Sequence, residues 1–117
     1  MVFRGISRQF SLYGEGQYDT IGAFWDEMAA KYGLESLRGL GYLWRDVEIS
    51  YAIGLISGDI EGQNLEIELP DEGWTVVVGR TDDLKAIYDE IYKHGPLLYE
   101  IESFTEDGLC RIEYVRR

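Results

Sequence analysis

Two amphipathic segments, half a chain apart, carry the same order of residue types, and this repeat limits what the chain can fold into. Ala23-Phe24-Trp25-Asp26-Glu27-Met28 is matched by Ala86-Ile87-Tyr88-Asp89-Glu90-Ile91, 63 positions later. In each segment the apolar residues recur at intervals of three and four, which is the spacing of one helix face. Capping residues precede each segment and a glycine follows it, so we predict helices from about Ile21 to Tyr32 and from Leu84 to Lys93.

Each predicted helix is preceded by one extended segment and followed by two. The extended segments are 3–13, 40–45 and 47–56 in the first half, and 65–78 (interrupted at 70–73), 97–104 and 109–115 in the second. The sequence therefore predicts an α+β domain over 1–117, a duplicated β-α-β-β with halves at about 1–56 and 65–117. Neither half closes a core alone, so we expect one antiparallel sheet with two helices. A central groove where the halves meet is a preferred kind of ligand site, unless side chains fill it.

The charge balance excludes some partners. With 22 acidic and 11 basic residues the formal net charge is −11, which argues against direct binding to nucleic acid or to an anionic membrane. Cationic partners are favoured, although many acidic proteins owe their charge only to solubility.

The sequence offers little for cofactor, metal or redox chemistry. One cysteine, Cys110, forbids an internal disulfide, and neither a leader-like segment nor a membrane-length apolar run is expected, so we predict a cytoplasmic protein. His94 is the single histidine and Cys110 is far from it in sequence, so no zinc site is predicted. Phosphate-binding glycine motifs are missing as well, and we expect no cofactor.

The last two extended segments alternate acidic and apolar residues. One face carries Tyr99 and Ile101, and the other carries Glu100 and Glu102. Ile112 and Tyr114 alternate with Arg111 and Glu113 in the same way. We expect the apolar sets to face the helices and the acidic sets to face solvent or the groove. A solvated sheet face is the alternative interpretation.

The candidate ligand site is a carboxylate at the floor of an aromatic groove. Such a carboxylate attracts a cation, and aromatic faces add roughly 0.5–2 kcal/mol of cation–π attraction. The residues proposed to line this site are Glu100 at its centre, with Tyr42, Trp44, Tyr51, Trp74, Trp25, Glu102 and Glu113.

Several local motifs, in order along nearly the whole chain, resemble the GyrI-like small-molecule-binding domain, which also serves as the effector module of multidrug-sensing and AraC-type regulators. The matching pieces are Phe24-Trp25-Asp26-Glu27, Gly41-Tyr42, Tyr51-Ala52-Ile53-Gly54, Leu69-Pro70 with Trp74-Thr75-Val76-Val77 and Gly79, Tyr99-Glu100-Ile101-Glu102, and Ile112-Glu113-Tyr114. The resemblance implies a groove for hydrophobic, often cationic molecules, with a central glutamate matched by Glu100. Glu102 stands where that family usually has tyrosine, which implies a more acidic site.

The resemblance leaves three functions open. A DNA-binding segment is not expected, so the chain resembles the stand-alone members: gyrase inhibitors, mobile-cassette drug-binding proteins, and hydrolases that open cyclopropane-bearing toxins. The first function is sensing or sequestration of a cationic, apolar molecule. The second is hydrolysis, with Glu100 or Glu102 as the general base. The third is inhibition of a protein target such as gyrase by an acidic, DNA-like surface; a homodimer is also possible.

Overall fold

The computed structural model describes residues 1–11, 16–45 and 48–117, with the backbone alone for 16–19. Within these residues the chain forms seven strands and two α-helices, plus 3-10 turns at Leu34–Ser36 and Thr81–Asp83. The strands are β1 (Val2–Ser11), β2 (Leu37–Tyr42), β3 (Glu48–Leu55), β4 (Leu65–Glu68), β5 (Thr75–Arg80), β6 (Leu97–Phe104) and β7 (Leu109–Arg116). The helices are α1 (Gly16–Tyr32) and α2 (Leu84–Lys93).

All seven strands belong to one sheet in the order β4-β1-β3-β2-β6-β7-β5, and every neighbouring pair is antiparallel. The prediction of an α+β fold with one antiparallel sheet and two helices is confirmed. β2 and β6 pair at the middle of the sheet, with Gly41 opposite Glu100 and Gly39 opposite Glu102. This pairing brings residues of the two halves of the sequence side by side.

The extended segment 65–78 is two strands at opposite edges of the sheet. β4 pairs with β1, where Ile67 lies opposite Phe3, whereas β5 pairs with β7, where Val77 lies opposite Ile112. The Pro70-to-Gly73 interruption carries the chain between them, and Gly73 has a positive φ of 89°. The interruption seen in the sequence is therefore a crossing from one edge of the sheet to the other.

The helix ends follow the glycine signals. α2 occupies the predicted range, and α1 ends at Tyr32 as predicted but begins at Gly16. Gly33 and Gly95 adopt φ values of 84° and 123°, in the region that side chains disfavour. Residues 12, 13 and 47 of the predicted strands lie outside the described residues.

The sheet is buried on both faces. On one face, two clusters join strand residues to the helices: Phe24, Trp25, Met28, Leu37, Tyr51, Ile53 and Ile60, and Tyr88, Ile91, Leu97, Cys110 and Ile112. On the other face Phe3, Leu40, Tyr42, Ala52, Leu69 and Ile101 form a separate cluster, with Leu65, Ile67, Trp74 and Tyr99 packed against it. Neither helix among the described residues has the length and apolar character of a membrane span.

The predicted apolar stripe of α2 faces the sheet. Ile91 is buried, Leu84 and Ile87 are partly buried against the same cluster, and Lys85, Asp89 and Lys93 are exposed. Ile87 packs on Gly79, where an added Cβ would lie 2.9 Å from its Cδ1 atom.

Ile87→Ala is expected to lower the free energy of unfolding by about 1–2 kcal/mol, below the 2–5 kcal/mol of a fully buried site, because Ile87 stays partly exposed. Urea unfolding measures the change, with Lys85→Ala as the exposed control. A loss near zero for Ile87→Ala would contradict the packing of this stripe.

Candidate functional site

The two acids of β6 lie on the face of the sheet that carries the helices. Tyr88 of α2 donates a hydrogen bond to Glu102, and Tyr92 of α2 donates one to Glu100. Ile101, between them, packs with the cluster on the opposite face. The expectation that Tyr99 and Ile101 face the helices is therefore wrong, and that for Ile112 is correct. The error arose because the opposite face is also covered, so apolar residues do not mark the helix side.

Two glycines of β2 make room for the acids and their partners. A Cβ on Gly41 would lie 2.9 Å from Cγ of Glu100 and 3.2 Å from the Trp44 ring. A Cβ on Gly39 would collide with the Tyr51 hydroxyl and lie 2.8 Å from the Trp25 ring. A side chain at either position would displace the acids or the aromatic rings. Glycine at positions 39 and 41 therefore leaves the space that these side chains fill.

Glu102 is held by two tyrosine hydroxyl groups, and an indole N–H holds one of them in turn. Its Oε1 accepts from Tyr51 of β3, and its Oε2 accepts from Tyr88 of α2. Trp25 of α1 donates from Nε1 to the Tyr51 hydroxyl over 2.8 Å. The Glu102 carboxylate thus ties both helices to the sheet while being only 5% exposed.

Glu100 is as deeply buried as Glu102 but accepts from fewer hydroxyl groups. It is 4% exposed, and its Oε2 accepts from the Tyr92 hydroxyl at 2.9 Å. No described residue donates a hydrogen bond to its Oε1. The Tyr92 ring stacks on Tyr88, with centroids 5.6 Å apart, and is itself 40% exposed. Within the described part of the chain, one carboxylate oxygen of Glu100 is therefore left without a donor.

Both acids lie in the wall of a cavity of about 740 Å³. Its wall combines residues of α1, α2, β3 and β6 with loop residues: Ile21, Gly22, Trp25, Asp26, Leu34, Trp44, Ile49, Tyr51, Thr81, Asp82, Leu84, Tyr88, Tyr92, Glu100, Glu102, Phe104, Thr105 and Gly108. The described part of this wall contains four acids and no lysine or arginine. The volume suits a drug-sized molecule.

Burial shifts the protonation of the whole cluster. Desolvation, reinforced by the nearby Glu102 charge, raises the pKa of Glu100 to about 8. Desolvation also raises the pKa of Glu102, while the hydrogen bonds from Tyr51 and Tyr88 oppose the shift. The pKa values of Tyr51 and Tyr88 are raised well above 10 by burial and the adjacent carboxylates, so both stay hydroxyl donors.

The structure brings five of the eight sequence-predicted site residues together. Trp25, Trp44, Tyr51, Glu100 and Glu102 line the cavity. Trp44 reaches it because β2 ends at Tyr42 and Leu43 adopts a positive φ of 51°, which breaks the alternation of faces.

The remaining three predicted residues lie on the opposite face of the sheet, away from the cavity. Tyr42 is buried there and shares a 2.6 Å hydrogen bond with Ser7. Trp74 packs against the same cluster and donates to the Pro70 carbonyl. Glu113 pairs across the strands with Ile101 and forms an ion pair with Arg111. These three predicted residues therefore do not line the cavity that Glu100 lines.

Sequence reasoning did not select Tyr88 and Tyr92 as site residues. Both were assigned to the apolar stripe of α2, and their rings do lie on that side of the helix. The missing inference was that a tyrosine in such a stripe places its hydroxyl at the sheet, where a buried carboxylate accepts from it. Tyr88-x-x-x-Tyr92 opposite Glu100-x-Glu102 was the available signal.

The described residues contain no group of three histidine, cysteine, aspartate or glutamate side chains that is arranged to hold a metal ion. Comparisons with known proteins add no assignment: no family model matches the chain, and no curated protein or solved structure matches it. The chemistry of the cavity therefore rests on its own residues.

Proposed function

We propose that the protein binds an apolar organic cation in the cavity between its two helices, and so acts as a sensing or sequestering module. The observation that carries the proposal is a pair of buried carboxylates in an aromatic wall that has no lysine or arginine among its described residues. A buried carboxylate without a cationic partner is costly. A ligand that brings the missing positive charge and covers the apolar wall relieves that cost.

The wall offers two kinds of attraction to such a ligand. Trp25, Trp44, Tyr88 and Tyr92 supply aromatic surface, which favours apolar groups and the faces of cations. Glu100 supplies the negative charge, and no described residue donates a hydrogen bond to its Oε1. A charge-assisted hydrogen bond there contributes roughly 1.5–3 kcal/mol.

The proposal extends to the family and the architecture. The chain is proposed to be a diverged member of the GyrI-like group, built from two β-α-β-β halves with the ligand groove between them. The strand order supports this: apart from β4, the sheet reads β1-β3-β2 from one edge and β5-β7-β6 from the other. A cytoplasmic location is part of the proposal and is supported by the single buried Cys110.

A matched pair of ligands tests the proposed function. Isothermal titration at pH 8 compares 1-(aminomethyl)-4-methylnaphthalene, a cation, with 1-(hydroxymethyl)-4-methylnaphthalene, its neutral analogue. The cation is expected to bind about ten- to a hundredfold more tightly. No binding of either compound would contradict the ligand site, and equal affinities would contradict the selection of charge.

Hydrolysis is a second candidate, favoured by one observation. Glu100 keeps its proton near neutral pH because burial raises its pKa to about 8, so it is suited to donate a proton to a leaving group. Incubation with a cyclopropane-bearing alkylator and analysis of the products tests this. Ring-opened product formed by the wild type and lost in Glu100→Gln supports it, and unchanged substrate removes it for that class.

A further inference from the structure

Two carboxylates, at alternate positions of one strand, form the floor of the cavity. Glu100 and Glu102 share a face of β6, so their backbone positions are about 7 Å apart. Each is at most 5% exposed, and both line the same cavity. A single organic cation has one charge to place against this pair.

We propose that the cavity selects dications, apolar molecules that carry two ammonium-type groups spaced to reach both carboxylates, one for each. This inference rests on the proposed function and names the class of its ligand. It makes Glu100 and Glu102 two halves of one recognition element.

Glu102 remains able to accept from a ligand although its two oxygens already accept from Tyr51 and Tyr88. A carboxylate offers about four lone-pair positions, and the two tyrosine hydroxyls occupy two of them. These hydroxyls are neutral donors, so they orient the carboxylate and favour its ionised form without cancelling its charge. A second ammonium group is the partner that would cancel it.

When the ligand carries a single positive charge, a proton neutralises the second carboxylate of the pair. Among the described residues, the ionisable groups that face the pair are Tyr51 from β3 and Tyr88 and Tyr92 from α2, with Asp26 and Asp82 at the exposed part of the wall. None of these is a cation, so the pair keeps a proton unless a ligand replaces it. The raised pKa of both acids agrees with this. A dication should therefore displace about one more proton than a monocation of the same shape.

The test compares 1,4-bis(aminomethyl)naphthalene with 1-(aminomethyl)-4-methylnaphthalene, which has a methyl group in place of the second ammonium. Isothermal titration at pH 7 in phosphate and in Tris gives both the affinity and the number of protons released. The wild type is expected to bind the dication at least about tenfold more tightly, and to release about one more proton with it.

Glu102→Gln keeps the shape of the side chain and removes its charge. In this variant the two ligands are expected to bind within about twofold of each other, and the difference in proton release should disappear. Glu113→Gln removes the same charge from the neighbouring strand, on the opposite face of the sheet, and should leave both readouts at the wild-type value. Because each readout compares two ligands on one variant, a general loss of stability does not imitate the result.

The outcomes separate the inference from the proposed function. If the wild type binds both ligands equally, or if Glu113→Gln removes the preference as well as Glu102→Gln does, dication selectivity is wrong while binding of cations stands. If neither ligand binds the wild type, the proposed function is wrong as well.

Discussion

Between pH 5 and pH 8 the ligand-free protein is expected to lose roughly 3–4 kcal/mol of unfolding free energy as the buried Glu100, beside Glu102, gives up its proton. In the folded protein burial holds the Glu100 pKa at about 8, whereas the unfolded chain has the usual value of 4.5. Over this interval the folded state binds more protons than the unfolded state. The stability that the protonated Glu100 contributes is therefore fully present below the pKa of the unfolded chain. It is lost as the pH rises through the pKa of the folded protein.

Chemical denaturation at several pH values and constant ionic strength measures this loss. Glu100→Gln removes the titrating group, so the variant should show a much smaller slope and should be the more stable protein at pH 8. Equal slopes for the two proteins would show that Glu100 is not buried in the folded state as described.

Glu100→Gln is also expected to weaken the binding of an apolar monocation by about ten- to a hundredfold. The substitution preserves the shape of the side chain and its hydrogen-bonding oxygen, while it removes the charge that the ligand meets in a low-dielectric wall. Isothermal titration of 1-(aminomethyl)-4-methylnaphthalene at pH 8 measures the change.

The neutral alcohol of the same shape is the control for this variant. Its affinity for Glu100→Gln should stay within about twofold of the wild-type value, because no full charge is involved. Equal losses for the amine and the alcohol would assign Glu100 a structural role, without selection of charge.

Local sequence patterns predicted the elements well. The apolar spacing of α2 and the glycine that follows it were sufficient to predict its bounds. This is because the apolar face of the helix, which packs on the sheet, is already visible in the local sequence. The position of β4 at the far edge from β5 was not predictable, since the pairing partner of an edge strand depends on contacts distant in sequence. α1 differed at its start, where Asp19 and Thr20 lie inside the helix although the sequence marked them as its cap.

Sequence patterns predicted the two acids that line the cavity, but only some of the residues around them. Glu100 and Glu102 stood out because acids alternate with apolar residues there, but alternation alone does not say which face the helices cover. With Tyr99 and Ile101 assigned to the helix side together with Ile112 and Tyr114, Glu113 was expected on the same face as Glu100. The register of β6 with β7, which pairs Glu102 with Ile112, settles the face and required the structure.

A crystal structure of the protein with 1-(aminomethyl)-4-methylnaphthalene tests the central claim most directly. We predict the naphthalene ring between α1 and α2, against Trp25, Trp44 and Tyr92, with the ammonium nitrogen about 2.7–2.9 Å from a carboxylate oxygen of Glu100. A ligand bound elsewhere, or in the cavity with its ammonium group turned away from Glu100 and toward solvent, would contradict the account.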